Sequence, residues 1–181
     1  MLTGVPVGPV RDALKVLEAN GIVILHPRSG IELIKPSTDL VRATFQFRTI
    51  IERQATRAYS QSATEPALRA LVSVHEAEIA AMAQLDPNTN AADRLSDIEE
   101  RFHLPIVAAL GNELVDASYR RLQLMARIIK VKSAVYPNAA VLSLSEHLAV
   151  LSACLRRDAD AAEAAMAQHL ANAMSRNLGL V

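Results

Sequence analysis

Beyond Pro36 the chain shows no strand signal. Apolar residues recur there at three- and four-residue spacing, and only short groups of Pro, Gly, Asn and Asp interrupt them. A helix returns to the same side every 3.6 residues, so this spacing marks one apolar stripe per segment. Ser37, Thr38 or Asp39 can cap a long helix reaching about Tyr59. Thr64-Glu65-Pro66 opens a second helix, to about Leu85, and Asp86 to Asn90 reads as a loop. A third runs from about Ala91 to Leu110, where Gly111 breaks it. Asn112 caps a fourth, extending to about Val135. Pro137 and Asn138 punctuate again, a fifth helix ends near Arg156, and Asp158 or Asp160 starts the last. A helix with one apolar stripe has to bury it against a neighbour, and short connections favour antiparallel neighbours.

The first 36 residues differ in character. Pro9 suits the first position of a helix, Val10, Leu14 and Leu17 follow at helical spacing, and Gly21 provides a left-handed cap. Two β-branched runs, Ile22 to Leu25 and Ile31 to Ile34, then flank Pro27, Ser29 and Gly30, which is a hairpin signal. One helix plus a hairpin is the second half of a winged helix. The expected fold class is therefore mainly α. An antiparallel bundle of six to seven helices (residues 37–181) follows a partial winged-helix domain (residues 1–36).

Composition narrows the functional classes. Nineteen basic residues balance nineteen acidic ones, so no global basic field draws in nucleic acid and any DNA contact needs a local patch. The single Cys154 excludes an internal disulfide framework and fits a reducing cytosol. No segment has the layout of a secretory signal, and no apolar run is expected to span a bilayer. A cytoplasmic protein with no membrane partner is the expectation.

Chemistry resides in the histidines. His147 lies among Leu144, Leu148 and Leu151, and His169 between Ala165 and Ala173, so both face inward on their helices. His103 shares a face with Glu99, four residues earlier, close to Phe102, Ile106 and Leu110. An unsatisfied polar group buried among apolar side chains costs roughly 1–3 kcal/mol. Taken singly, each ring suits a core residue with an ordinary hydrogen bond. Taken together, three neutral imidazoles and one carboxylate suit a divalent ion such as Zn²⁺ or Ni²⁺ held between facing helices. Of the others, His75 reads as a partly exposed or interfacial residue, His26 has no assigned role, and Cys154 reads as a small core side chain.

These residues resemble a known family. "PVRDALKVLEANGIVILHPRSGIELI" is similar to the recognition helix and wing of GntR-type transcriptional regulators of the FadR subfamily. "FRTIIERQATRAY" matches the first helix of their effector domain, with Arg48 and Glu52 as its Arg-x-x-x-Glu core. "EERFHLPIVAALGNELV" matches an acidic-x3-His segment followed by Gly-Asn. "EHLAVLSACLRRDADAAEAAMAQHL" matches a Glu-His, an Asp near a helix break and a final His-Leu. The segments occur in family order over nearly the whole chain. The resemblance implies a helical effector domain of the FCD type around a pocket. It implies a divalent metal on Glu99, His103, His147 and His169, and a small carboxylic or sugar acid beside the metal, gripped by Arg48. It also implies a homodimer whose hold on operator DNA changes with the acid.

Two departures qualify that expectation. Glu99 stands where the family usually carries Asp, and its longer stem shifts the ion or its coordination mode. The sequence also starts within the recognition helix, with Val7 where a basic DNA-contacting residue is expected. The available cations are Arg11, Lys15, Arg28 and Lys35; Arg11, Lys15 and Arg28 are the candidate DNA contacts. Two rival readings follow. A short form that cannot grip DNA would act as a ligand-binding or interaction module. A three-histidine ion with an open position could activate water, but no further carboxylate or histidine reads as a general base.

Overall fold

In the computed structural model, which describes residues 6–131 and 135–180, the first helix α1 spans Val7–Ala19. It starts at Val7, before the expected Pro9. Both Pro6, at the cap, and Pro9 fall where helical N–H groups have no partner, so neither costs a bond. Residues 1–5, which the expected recognition-helix segment includes, are outside the described part. Gly21, at φ 70°, reverses the chain after α1. Strands β1 (Val23–His26) and β2 (Gly30–Leu33) then pair antiparallel, with Val23 opposite Leu33 and His26 opposite Gly30. Ile22 and Val23 are buried, while α1 buries no residue. The Leu25 N–H donates to Glu18 at 3.1 Å, tying the hairpin to α1.

The chain divides into two compact units between Ser37 and Thr38. The second is all helical: α2 (Thr38–Ser62), α3 (Glu65–Met82), α4 (Ala92–Ala108), α5 (Glu113–Val131), α6 (Pro137–Leu155) and α7 (Ala159–Asn177). Side chains set the starts. Thr64 accepts from the Ala67 N–H, Asn112 from those of Leu114 and Val115, and Asp158, not Asp160, from that of Ala161. The ends move slightly from expectation. α2 continues past Tyr59, α3 stops at Met82, and α4 stops three residues after Pro105, whose missing N–H weakens the last turn. Residues 132–134 of the expected fourth helix lie outside the described part.

α2 packs against α7, α4 and α5, and α6 packs against α7 and α3. Phe102, Ile106, Tyr119, Leu151, Met166 and Leu170 fill the main core. One expectation is corrected. Pro137–Leu155 is long and apolar enough to cross a membrane by length and composition. Here α6 is a core helix, with Ala140, Leu144, Val150 and Leu151 fully buried. Asn138, Leu142, Ser145 and Ser152 lie exposed on its other face, so the helix turns one side into the bundle interior.

Candidate metal centre

The core carries a polar seam. Arg48, Glu52, His75, Glu99, His103, Ser143, His147 and His169 are all buried. Four of them meet: one ligand-type atom from each of Glu99, His103, His147 and His169 lies within 4.8 Å of the other three. α4 brings Glu99 and His103 on one face, α6 brings His147, and α7 brings His169. Ser143, one turn before His147, donates to Glu99 Oε1 at 3.1 Å and aims that carboxylate inward. His103 Nε2 lies 3.7 Å from Glu99 Oε2, and His147 Nε2 lies 3.6 Å from Glu99 Oε1.

The outer nitrogens are braced. His103 Nδ1 donates to Glu52 Oε2 at 2.6 Å, and His169 Nδ1 donates to Glu146 Oε2 at 2.8 Å. Burial pushes the Glu52 carboxyl up, but Arg48 and His103 outweigh it and hold it well below the usual range. Glu146 resists burial in the same way. Arg176, His169 and Asn172 bring it down to about 2, with Arg176 gripping both its oxygens at 2.8 and 2.7 Å. Both carboxylates are thus ionised acceptors. Each fixes its ring as the Nδ1–H tautomer and leaves Nε2 unprotonated; that of His103 accepts from Arg48 Nη2 at 3.1 Å. Burial, reinforced for His147 by its neighbour His169, pushes the pKa of His147 and His169 down and favours their neutral forms. Phe102 forms the floor. It stacks on His147 at 3.9 Å between centroids and meets the rings of His75, His103 and His169 edge-on.

One pair of the donor set already has the spacing of two ligands on one divalent ion, and all four donor atoms lie within 4.8 Å of one another. Two nitrogens on a tetrahedral zinc, with bonds of roughly 2.0–2.1 Å, stand about 3.3 Å apart. His147 Nε2 and His169 Nε2 stand 3.2 Å apart.

Arg48 is 4% exposed, so it is no surface salt bridge. Its Nε donates to Glu52 Oε1 at 2.6 Å, and its Nη2 lies 3.1 Å from His103 Nε2. Burial works against the guanidinium charge, but Glu52, Tyr119 and Glu99 overcome that cost and strengthen its hold on the proton. Tyr119 donates its phenol proton to Glu52 Oε1 at 2.8 Å. A small pocket between α2, α4 and α5, lined by Arg48, Ser96, Glu99 and Gln123 among others, leads to this edge of the seam.

The other candidates lie elsewhere. Arg11 and Lys15 are exposed one turn apart on α1, and Arg28 is exposed at the hairpin tip with φ 69°. Val7 is exposed too. His26 pairs with Glu32 at 2.9 Å. Sequence reasoning misplaced His75, which is fully buried and 3.1 Å from His147 Nδ1. The exposed-looking Glu76 and Glu78 beside it hid the signal. Leu68, Leu71, His75, Ile79 and Met82 form one continuous stripe along α3. The bracing roles of Glu52, Tyr119 and Glu146 were missed as well.

The family model described as "FCD domain" matches residues 43–172. The HTH-type transcriptional repressor RspR of Escherichia coli strain K12 is 27% identical over 163 residues, which cover 90% of this chain and 69% of RspR. Among solved structures, E. coli McbR/YncC has a TM-score of 0.83 at 14% identity, covering 98% of this chain and 82% of its own. The Zn2+-bound FCD domain of TM0439 has a TM-score of 0.61 at 20% identity, covering 81% and 96%. At these identities the structural likenesses speak for the fold.

Proposed function

The chain belongs to the FCD domain family of transcriptional regulators, and on that footing we propose that it is a metal-dependent sensor of a small organic acid. Its relatives and fold neighbours are regulators rather than enzymes. In this reading Glu99, His103, His147 and His169 hold a divalent ion, zinc or nickel, which supplies a Lewis-acidic anchor for a carboxylate. The observation that carries it is the convergence of these four groups, with His103 and His169 each held from behind as the metal-ready tautomer. The zinc seen in the FCD domain of TM0439 supports the choice of ion.

Arg48 is the group suited to the acid, whether carboxylic or sugar acid. A planar guanidinium grips a carboxylate at two points. It lies at the pocket edge, with Glu52 fixing its orientation. An acid bridging Arg48 and the ion favours one arrangement of the bundle. That shift in population changes how a homodimer grips operator DNA through the winged unit, with Arg11, Lys15 and Arg28 as its cations. The setting is cytoplasmic, with no turnover.

Elemental analysis and native mass spectrometry of the purified protein test this reading. The expected result is about one zinc or nickel per chain, and a His103→Ala variant that loses both the metal and its affinity for a carboxylic acid. Unchanged metal content in that variant would overturn the assignment.

A further inference from the structure

His147 differs from the other two rings of the cluster in having no carboxylate behind it. Its Nδ1 faces His75 Nε2 at 3.1 Å, and His75 Nδ1 faces the Leu71 carbonyl oxygen at 2.7 Å. Both histidines are 0% exposed. Hydrogens follow from the network. Two arrangements could satisfy His147. In one, its Nε2–H donates across the cluster to His169 Nε2 at 3.2 Å, and its bare Nδ1 accepts from His75. In the other, its Nδ1–H donates to His75 and its Nε2 is bare. Only the second leaves a lone pair for a cation.

The backbone of α3 chooses between them. A carbonyl oxygen only accepts, so His75 Nδ1 must carry a proton. For His75 also to donate from Nε2, it would have to be an imidazolium, a fully buried charge with no carboxylate paired to it among the described residues and a second imidazole against it. A neutral His75 therefore offers a bare Nε2, and His147 must donate to it. Leu71 O, His75 and His147 form one directed line of hydrogen bonds, each acceptor fixing the next ring. Phe102 stacks on His147 and meets His75 edge-on, so neither ring can swing out of that line without opening the core.

We propose that His75 is a positioning residue, which imposes on His147 the Nδ1–H tautomer and so turns its bare Nε2 into the cluster. The inference rests on the metal reading above for its purpose, while its tautomer measurement stands without any metal. Outer-shell partners of metal-bound histidines are commonly worth 10–100-fold in affinity.

Three forms of this chain decide it: wild type, His75→Phe and His75→Gln. Phe keeps the volume and removes the acceptor; Gln keeps an oxygen able to accept from His147. Long-range nitrogen–proton spectra of the metal-free proteins should show His147 protonated at Nδ1 in the wild type. Zn²⁺ titration against a competing chelator should show affinity falling about 10–100-fold in His75→Phe, with Gln recovering most of it. In the Phe variant the proton should move to Nε2, where His169 can accept it. Nε2 protonation of His147 in the wild type would overturn the proposal, as would equal zinc affinity in wild type and a folded Phe variant. If Phe fails to fold, the wild-type tautomer and the Gln titration still decide. If the wild type binds no zinc, the metal reading falls, and the spectrum alone upholds or overturns the role of His75.

Discussion

In the helical unit, Arg48 and Glu52 are 4% and 0% exposed, and every buried side-chain nitrogen or oxygen among the described residues has a partner. In the winged unit, α1 buries no residue, and Arg11, Lys15 and Arg28 all face solvent. The contrast shows where charge is informative. A buried charge survives only if specific groups answer it, so its partners can be read as a mechanism. An exposed charge is solvated whatever it does, so its role rests on what approaches it from outside.

The sharpest way to break this contrast is to remove Glu52. That carboxylate accepts from Arg48, His103 and Tyr119. Glu52→Ala leaves a guanidinium buried without its counter-ion, and urea denaturation of the metal-free protein should show a loss of about 3–5 kcal/mol. A loss below about 1 kcal/mol would mean that water reaches Arg48 and that the seam is not closed.

Acid should act in the same direction, more gradually. His147 and His169 are held below the ordinary 6.5, so below that pH the unfolded chain takes up protons first and the folded state loses stability. Glu146, held down to about 2, contributes stability that is complete above the ordinary 4.5 and is lost as pH falls from there toward 2. Thermal scans of the metal-free protein should show a melting temperature that falls from about pH 6.5 downward. Glu146→Gln should flatten the portion below about pH 4.5. A melting temperature that rises on acidification would contradict neutral imidazoles in the core.

The winged unit should give the smallest stability effects. Arg11→Ala and Lys15→Ala are expected to change unfolding by less than about 0.5 kcal/mol. Gel shifts with the DNA upstream of the gene should nevertheless weaken, with the salt dependence reduced by about one unit per residue removed. Absence of salt-sensitive DNA binding by the unsubstituted chain would favour the interaction-module reading, and unchanged binding in both variants would remove Arg11 and Lys15 from the contact.

Much of the fold could be read from the chain because its signals are local. Thr64, Asn112 and Asp158 cap helices within three residues of themselves, and Gly21 turns the chain at its own φ. The inward faces of His103, His147 and His169 were legible for the same reason, since each sits on its own apolar stripe. The braces were not. Glu52 reaches His103 across 51 residues, His75 reaches His147 across 72, and Glu146 reaches His169 across 23. Periodicity states which side of a helix is buried, and it is silent on which other helix that side will meet. Glu52 was read only through its neighbour Arg48 at i,i+4, the one contact that spacing could reveal.

Aromatic residues make up 3% of the chain, yet one of its three phenylalanines, Phe102, lies within 6.5 Å of four imidazoles, by ring centroids. A benzene ring has no lone pair to offer, and this one is fully buried. One side chain thereby lays the same apolar surface against all four imidazole rings, on the side away from the Arg48 pocket.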